Sequence, residues 1–570
     1  SNTVNKAAKL SWDGKHSFTK PSAKKPADRR HQPSGHKKNN MVTNTDSLRA
    51  RLPAQDLRKL SQMGTNAASL RDWVAGLSLV NTLECAPLVH TTLQEINRLT
   101  VDEALRYQLL EIIRQPVQSL CQALCRYYLT NNVVLTEQAT KVATLAQALQ
   151  NRMAVGYKLV VVNLLDTPVG QKRAGAQRDM LLAAMHRAMT NLTGTLLRIT
   201  ELYLNAPPGL WRELHALYLL AVEHGLANIK VDDPLASHSG HSTIEESYVR
   251  ALLLATCKAN QLRQAEITLI YTLTELWAPL VHLKQPGLAK VLVVYDLSLD
   301  EPPASRAPNS GRPPETLRAI DPTELVKRLA LLPGRPETGP DGKLPAPLLT
   351  HLINSWSELS ERSAYRKKHE STLELCLGLM AVHYFMGNRQ DFHTQLRGRM
   401  DINNDYEEEE RLDSKRPDRF TVHCIDISAG GYGVNWTAVV PGQARVGELV
   451  GVREPGQLDW NLGVIRWVKP APGGSLHLGL EVLAPTAQPC GTRVLKNTDE
   501  ASDYLRALIV PALKALHRPA TLITPPMGFH AGSHIIIMRQ GKEEKARLTR
   551  LHSAAHSFRQ YEFELVEAER

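Results

Sequence analysis

Phe420-Thr421-Val422-His423-Cys424-Ile425-Asp426-Ile427-Ser428-Ala429-Gly430-Gly431-Tyr432-Gly433-Val434-Asn435-Trp436 is the stretch whose reading decides the fold. β-Branched and aromatic residues mark its first half as a strand, and Gly430-Gly431 turns the chain into a second strand at Tyr432. Asp426 and Ser428 are two residues apart and therefore share one face of the first strand. An acid, a hydroxyl and a glycine turn gathered at one strand end suit ligand binding better than catalysis. A plainer reading also stands, in which Asp426 and Ser428 stabilise the turn through hydrogen bonds to backbone.

The D-x-S-x-x-G pattern at Asp426, Ser428 and Gly431 resembles the signature of the PilZ family, bacterial receptors for cyclic di-GMP. That family also carries R-x-x-x-R before its first barrel strand, and Arg362 and Arg366 match it, followed by Lys367-Lys368-His369 and the apolar run from Thr372 to Met380. Val446 to Val452, Leu462 to Val468 and Leu478 to Val482 resemble the later strands of the same barrel. The resemblance implies a six-stranded antiparallel barrel, no enzymatic activity, no cofactor and cyclic di-GMP as ligand. It implies Arg362 and Arg366 on one side of the pocket and Asp426, Ser428 and Gly431 on the other, with Lys367, Gly430, Arg416 and Arg419 as secondary candidates.

The chain departs from the family in the length between the two motifs, roughly twice the usual spacing, in a segment type whose length varies widely. The surplus is assigned to an insertion over 387–418, which a barrel tolerates because loop-closure entropy grows slowly with length. Arg416 and Arg419 lie closer to Asp426 along the chain and so rival the earlier pair. The plainer account of Arg362 and Arg366 is a solvated helix face near Glu358 and Glu361, on a helix from Leu348 to Tyr365. The two motifs together favour the ligand reading.

The chemistry is coherent in its own right. A guanidinium pairs bidentately with phosphate oxygens or with the O6 and N7 edge of guanine, which a lysine cannot do. Asp426 can accept from guanine N1 and N2, and Ser428 can donate or accept. Glycines let backbone amides approach a ligand closely.

Charge is unevenly distributed. Residues 1 to 40 hold ten Lys or Arg against two Asp, which leaves only three of the eleven net positive charges for the other 530 residues. A segment so polar cannot bury a core, so a disordered basic leader is expected over 1–45. Steeply salt-dependent nucleic-acid binding by this leader is the last-ranked function, since only Trp12 and Phe18 offer it an aromatic platform. No apolar run is long enough to span a bilayer, no secretory signal pattern opens the sequence, and seven scattered cysteines suggest neither a zinc site nor a disulfide framework. A cytoplasmic protein with reduced thiols is expected.

At 570 residues several domains are required. Apolar stripes at helical spacing, such as Leu105, Leu109, Ile112, Ile113, Val117, Leu120 and Leu124, predict an all-α domain over 46–300. Trp211, Leu214 and Tyr218 match part of a tetratricopeptide helix, but no 34-residue recurrence supports it. Eleven prolines between Glu301 and Pro347 suggest a linker, interrupted by a short helix that Asp321-Pro-Thr-Glu324 would start. The PilZ-like barrel is expected over 348–485. A small C-terminal α+β module over 486–570 would hold a helix from Asp499 to Leu516 kinked at Pro511, then short strands, and either form a second barrel-like unit or serve as a docking surface.

Enzymatic and metal motifs fail on inspection. Asp401, Asn403 and Asp405 open a calcium-loop pattern that then lacks its glycine and its final glutamate. The glycines at 430–433 lack a Walker lysine, and neither H-E-x-x-H nor G-x-S-x-G occurs. His238 and His241 have no carboxylate at a persuasive spacing. The expectation is a multidomain receptor that signals to a protein partner through its helical domain. The alternative is a degenerate barrel that binds no nucleotide and acts as a scaffold.

Overall fold

The computed structural model describes residues 43–130, 132–166, 175–285, 293–303, 314–332, 344–357, 366–397, 416–428, 430–495, 503–512 and 518–566. Residues 1–42 of the expected basic leader, Arg362 and the acidic part of the insertion lie outside them, whereas residues 43–45, also expected in the leader, already cap and start a helix.

Helices build the first domain: α1 (Asn44–Arg49), α2 (Ala67–Ala75), α3 (Thr82–Arg98), α4 (Glu103–Cys125), α5 (Glu137–Leu165), α6 (Gly175–Glu201), α7 (Leu210–Glu223), α8 (Ile244–Thr256) and α9 (Gln264–Trp277). Local chemistry sets their starts. Asp102 accepts from the Leu105 amide at 2.9 Å, and Thr243 and Glu246 form a reciprocal capping box on α8. The C-terminal half of α5 is buried nearly all round, so its one lysine is paired: Lys158 Nζ donates to Glu213 at 2.8 Å. Asp233, in the loop after the two-residue strand β1 (Val231–Asp232), which pairs with β2 (His241–Ser242), accepts from Arg114 at 2.7 Å.

The proline-rich stretch is more than a linker. Its described part forms β5 (Leu317–Asp321), which lies between β3 (His282–Lys284) and β4 (Val293–Asp296), and then α10 (Thr323–Leu331); Asp321 accepts from the Thr323 amide at 3.1 Å, but the capping position is held by Pro322 and not by the expected Asp321. Ile320, Leu325 and Leu329 belong to the helical core, as do Leu348, Leu352 and Trp356 of α11 (Ala346–Ser357). The expected barrel region begins at 348 and would include α11, yet the side chains of this helix pack on the helical side. Prolines interrupt regular structure without keeping the segment out of a core.

Two closed six-stranded antiparallel barrels follow. The middle one comprises β6 (Lys367–Leu377), β7 (Phe420–Ser428), β8 (Gly431–Trp436), β9 (Leu449–Arg453), β10 (Asn461–Ala471) and β11 (Ser475–Ala484). The C-terminal one comprises β12 (Gln488–Val494), β13 (Leu505–Val510), β14 (Thr521–Thr524), β15 (His534–Arg539), β16 (Lys542–Ala554) and β17 (Arg559–Leu565). In each, the first strand pairs with the second and fourth, the third with the second and sixth, and the fifth with the fourth and sixth. The same strand order therefore occurs twice. The α plus β multidomain class stands, and the C-terminal module takes its barrel-like form. Its expected helix over 499–516 is corrected: the apolar run Leu505–Val510 is a strand that Pro511 follows. Short apolar runs carry no periodicity that separates buried strand from helix.

The apolar run after Thr372 also divides. β6 ends at Leu377, and Gly378, at φ +84°, turns the chain into α12 (Gly378–Met386). With Trp460, Leu462 and Val464 of the middle barrel and Leu508, Val510 and Ile523 of the C-terminal barrel, Ala381 and Val382 form one core, so α12 wedges the barrels together. His383 on this helix is buried, and its Nε2 lies 3.1 Å from the Cys490 carbonyl. Burial lowers the His383 imidazole to about 4, and that of His215 in the helical domain likewise to about 4. Folded-state values below the ordinary histidine range mean that protons bind preferentially to the unfolded chain. Stability should therefore be flat above about pH 6.5 and fall as pH drops toward 4. Thermal unfolding at pH 5 is expected below that at pH 7.5, and equal midpoints would refute this.

Candidate ligand-binding site

Strict alternation along β7 would bury the motif. Val422 and Cys424 face the middle-barrel core, and a period of two continued from them would send Asp426 and Ser428 inward as well. The ladder slips instead: Cys424 pairs with Val434, but Asp426 pairs with Gly433. Ile425 is the extra residue of a bulge and is 37% exposed. The partner ladder on β6 slips between Lys368 and Ser371, at the same level. Beyond the bulge Ile427 packs on the core and Asp426 and Ser428 turn to the outer face.

Arg366 stands at the entrance to β6 and not on a helix. Its Nη1 donates to Asp426 Oδ1 at 2.6 Å, with the two side chains 33% and 28% exposed. The pairing closes a separation of 60 residues and joins the two motifs on one patch. A pair this accessible contributes at most about 1 kcal/mol to stability. It leaves both charges within reach of solvent. Asp426 is thus not merely a turn stabiliser. Ser428 does make the turn contact, donating to the Gly431 carbonyl at 3.3 Å.

Gly431 is required by packing, since a Cβ there would lie 1.9 Å from the Leu480 carbonyl oxygen on β11. Gly430 is open, and its carbonyl accepts from the Val482 amide at 2.9 Å. Lys367 is exposed opposite Ile427, and Lys368, which sequence reasoning does not single out, is exposed opposite Asp426. The rival arginines are elsewhere. Arg419 bonds Glu374 at 3.0 Å, and Glu374 also accepts from Arg453. Seven residues of extended chain put Arg419 roughly 20 Å from Asp426. Arg416, exposed, lies further along the same end.

The outer face around the motif holds more residues than the two motifs name. Gly433 lies beneath the Asp426 carboxylate, Trp467 covers Gly479, and Arg466 bonds Glu481. The sequence signal for these is the pair of glycines at 433 and 479, each inside a strand where a side chain would be expected. Beneath Asp426 the Cys424 thiol is pushed up by burial and stays protonated, which leaves no activated sulfur at the patch. Among the described residues no cluster of metal-ligating side chains occurs, and no helix is long and apolar enough to cross a membrane.

Three family descriptions match the chain: "Cyclic-di-GMP receptor FimW, N-terminal domain" over 68–287, "Cyclic-di-GMP receptor FimW, middle PilZ domain" over 292–416 and 399–489, and "FimW C-terminal beta-barrel domain" over 490–566. The Cyclic-di-GMP receptor FimW of Pseudomonas aeruginosa is 32% identical over 583 residues, covering 92% of this chain and 95% of its own length. No solved structure matches. Helical domain, motif-bearing barrel and second barrel thus follow one another as they do in these descriptions, and the chain belongs to the FimW family, with a PilZ domain in its middle.

Proposed function

We propose that the chain is a non-enzymatic cytoplasmic receptor that binds cyclic di-GMP on the outer face of its middle barrel and passes occupancy to a protein partner through the helical domain. One observation carries the reading: the 2.6 Å contact between Arg366 and Asp426, which joins two separate motifs on an accessible surface. Arg366 and Arg362 take the phosphates and the guanine O6 and N7 edge, Asp426 accepts from guanine N1 and N2, and Ser428 and Gly431 hold the strand end that presents it. The relative's name, the cyclic-di-GMP receptor of Pseudomonas aeruginosa, supports the choice of ligand.

The route to the helical domain is short. Arg263, at the start of α9, donates twice to the Val446 carbonyl before β9, at 3.0 and 2.9 Å. Tyr203, Val133 and Val134 of the helical domain pack on the barrel core. Ser557 of the C-terminal barrel donates to Gly447 beside them at 3.1 Å, so three domains meet at one loop. Ligand closing on Arg366 and β7 would bias that loop through the barrel wall.

The scaffold alternative requires the insertion to cover Asp426. Its described part, α13 (Phe392–Arg397), packs on β12 and β15 of the C-terminal barrel. It follows the end of β6 that is opposite Arg366, on the order of 30 Å away. This favours the receptor. Calorimetric titration of the full chain with cyclic di-GMP, beside cyclic di-AMP, is expected to give saturable binding that prefers the guanine ligand. With the motif on one barrel only, one motif-bearing site per chain is expected. Absence of heat with both ligands would overturn the proposal.

A further inference from the structure

The loop 444–448 of the middle barrel is gripped from two sides at successive residues. The Val446 carbonyl accepts from the Arg263 guanidinium of α9 at 3.0 and 2.9 Å, and the Gly447 carbonyl accepts from the Ser557 hydroxyl of the C-terminal barrel at 3.1 Å. Gly447 is at φ +78°, and a Cβ on it would lie 3.4 Å from Arg263 Nη2 and 3.7 Å from Ala555 Cβ, so three segments meet around it. The loop itself is fixed to β10, because the Gly447 amide donates to the Ile465 carbonyl at 2.8 Å.

Ser557 belongs to the tight turn between β16 and β17, closed by the Ala555 amide donating to the Phe558 carbonyl at 2.9 Å. Phe558 is buried in the core between the barrels, and His556 at the tip is exposed. His556 is flanked by Ala555, which lies against Gly447, and by Ser557, which bonds it. Around its imidazole stand Arg263 and Glu266 of α9 and Arg445 of the loop. Both nearby carboxylates are committed elsewhere: Glu266 accepts from the Arg263 amide at 2.8 Å, and Glu448, 3% exposed, pairs with Arg445 at 3.5 Å. Burial, then Arg263 and Arg445, hold the His556 imidazole below its ordinary value, against a smaller opposing pull from Glu266. A proton therefore binds His556 more readily when the turn stands away from the two guanidinium groups.

We propose that the turn 555–558 is a proton-operated latch on the middle barrel. With His556 neutral, the turn closes on Gly447 and the loop holds Arg263. With His556 protonated, a third cation faces Arg263 and Arg445, and the turn and α9 let go of the loop together. Three domains are joined through two adjacent carbonyls, so one proton acts on both contacts. Repulsion between like charges is strongest where water is partly excluded, as it is here. The latch does not depend on which ligand the barrel binds. Its consequence for the receptor is that acid cuts the route from the barrel to the helical domain and leaves the Asp426 face intact.

Hydrogen–deuterium exchange of the full chain tests this, read as protection factors for peptides spanning 259–265, 444–449 and 553–558 and corrected for the pH dependence of intrinsic exchange. Wild type is expected to lose protection there by about threefold or more between pH 7.5 and pH 5.5. His556→Gln should keep its protection at both pH values, and His556→Arg should already show the loss at pH 7.5. Peptides from the buried half of α5 report global opening, and the buried His215 and His383, present in all three chains, produce no difference among them. No fall in wild type, a fall in His556→Gln equal to that of wild type, or full protection of His556→Arg at pH 7.5 would each overturn the latch. Should the arginine variant lose protection in α5 as well, the comparison of wild type with His556→Gln decides alone.

Discussion

Replacing Arg366 with alanine is expected to weaken binding of cyclic di-GMP at least tenfold, with little change in thermal stability. The two halves follow from one fact, the exposure of the Arg366–Asp426 pair, at 33% and 28%. In the free protein water screens both charges, so removing the arginine loses at most about 1 kcal/mol of folding free energy. In the complex the same guanidinium would face phosphate or guanine acceptors with part of the water displaced. A charged hydrogen bond lost there corresponds to about 1.5–3 kcal/mol, ten- to a hundredfold in affinity. Arg366→Lys should recover little, because an ammonium keeps the charge and loses the fork. Calorimetric titration of both variants, with urea unfolding as control, decides the matter. Unchanged affinity in Arg366→Ala would remove the arginine from the site.

Much of this arrangement can be read from residue order. The strand ending at Ser428, the glycine turn, the strands around Leu462–Val468 and Leu478–Val482 and the helical stripes before Gln285 all carry a period that sequence displays directly. What cannot be read depends on partners distant in the chain. Nothing in Cys424-Ile425-Asp426 announces a bulge, since the extra residue exists only relative to β8; yet that bulge decides whether Asp426 faces outward or into the core. The outer-face row of Trp467, Gly479, Gly433, Asp426 and Lys368 is hidden for the same reason, being defined by four pairings among five strands. Arg419 shows the converse. It lies close to Asp426 in sequence, but an extended strand separates them in space, and Glu374 holds it at the far end.

Alanine at Gly431 is expected to cost the fold about 3 kcal/mol or more, while alanine at its neighbour Gly430 should change stability by no more than about 0.5 kcal/mol. The two glycines share one turn but meet different surroundings. A Cβ at Gly431 would stand 1.9 Å from the Leu480 carbonyl oxygen and 2.9 Å from its carbon. Those are backbone atoms fixed by the β8–β11 ladder, in which Tyr432 pairs with Leu480 and Gly431 with Glu481, so no rotamer change relieves the clash. The strands must part, or the turn must re-form. At Gly430 nothing lies within 4 Å. Denaturant unfolding of the two variants should therefore give a large fall in midpoint for Gly431→Ala and almost none for Gly430→Ala. Similar midpoints would refute the packing account of Gly431. The consequence for function is that binding lost in Gly431→Ala would be lost with the barrel wall that presents Asp426, whereas binding lost in Gly430→Ala, on an intact fold, would mark a direct approach of ligand to the turn.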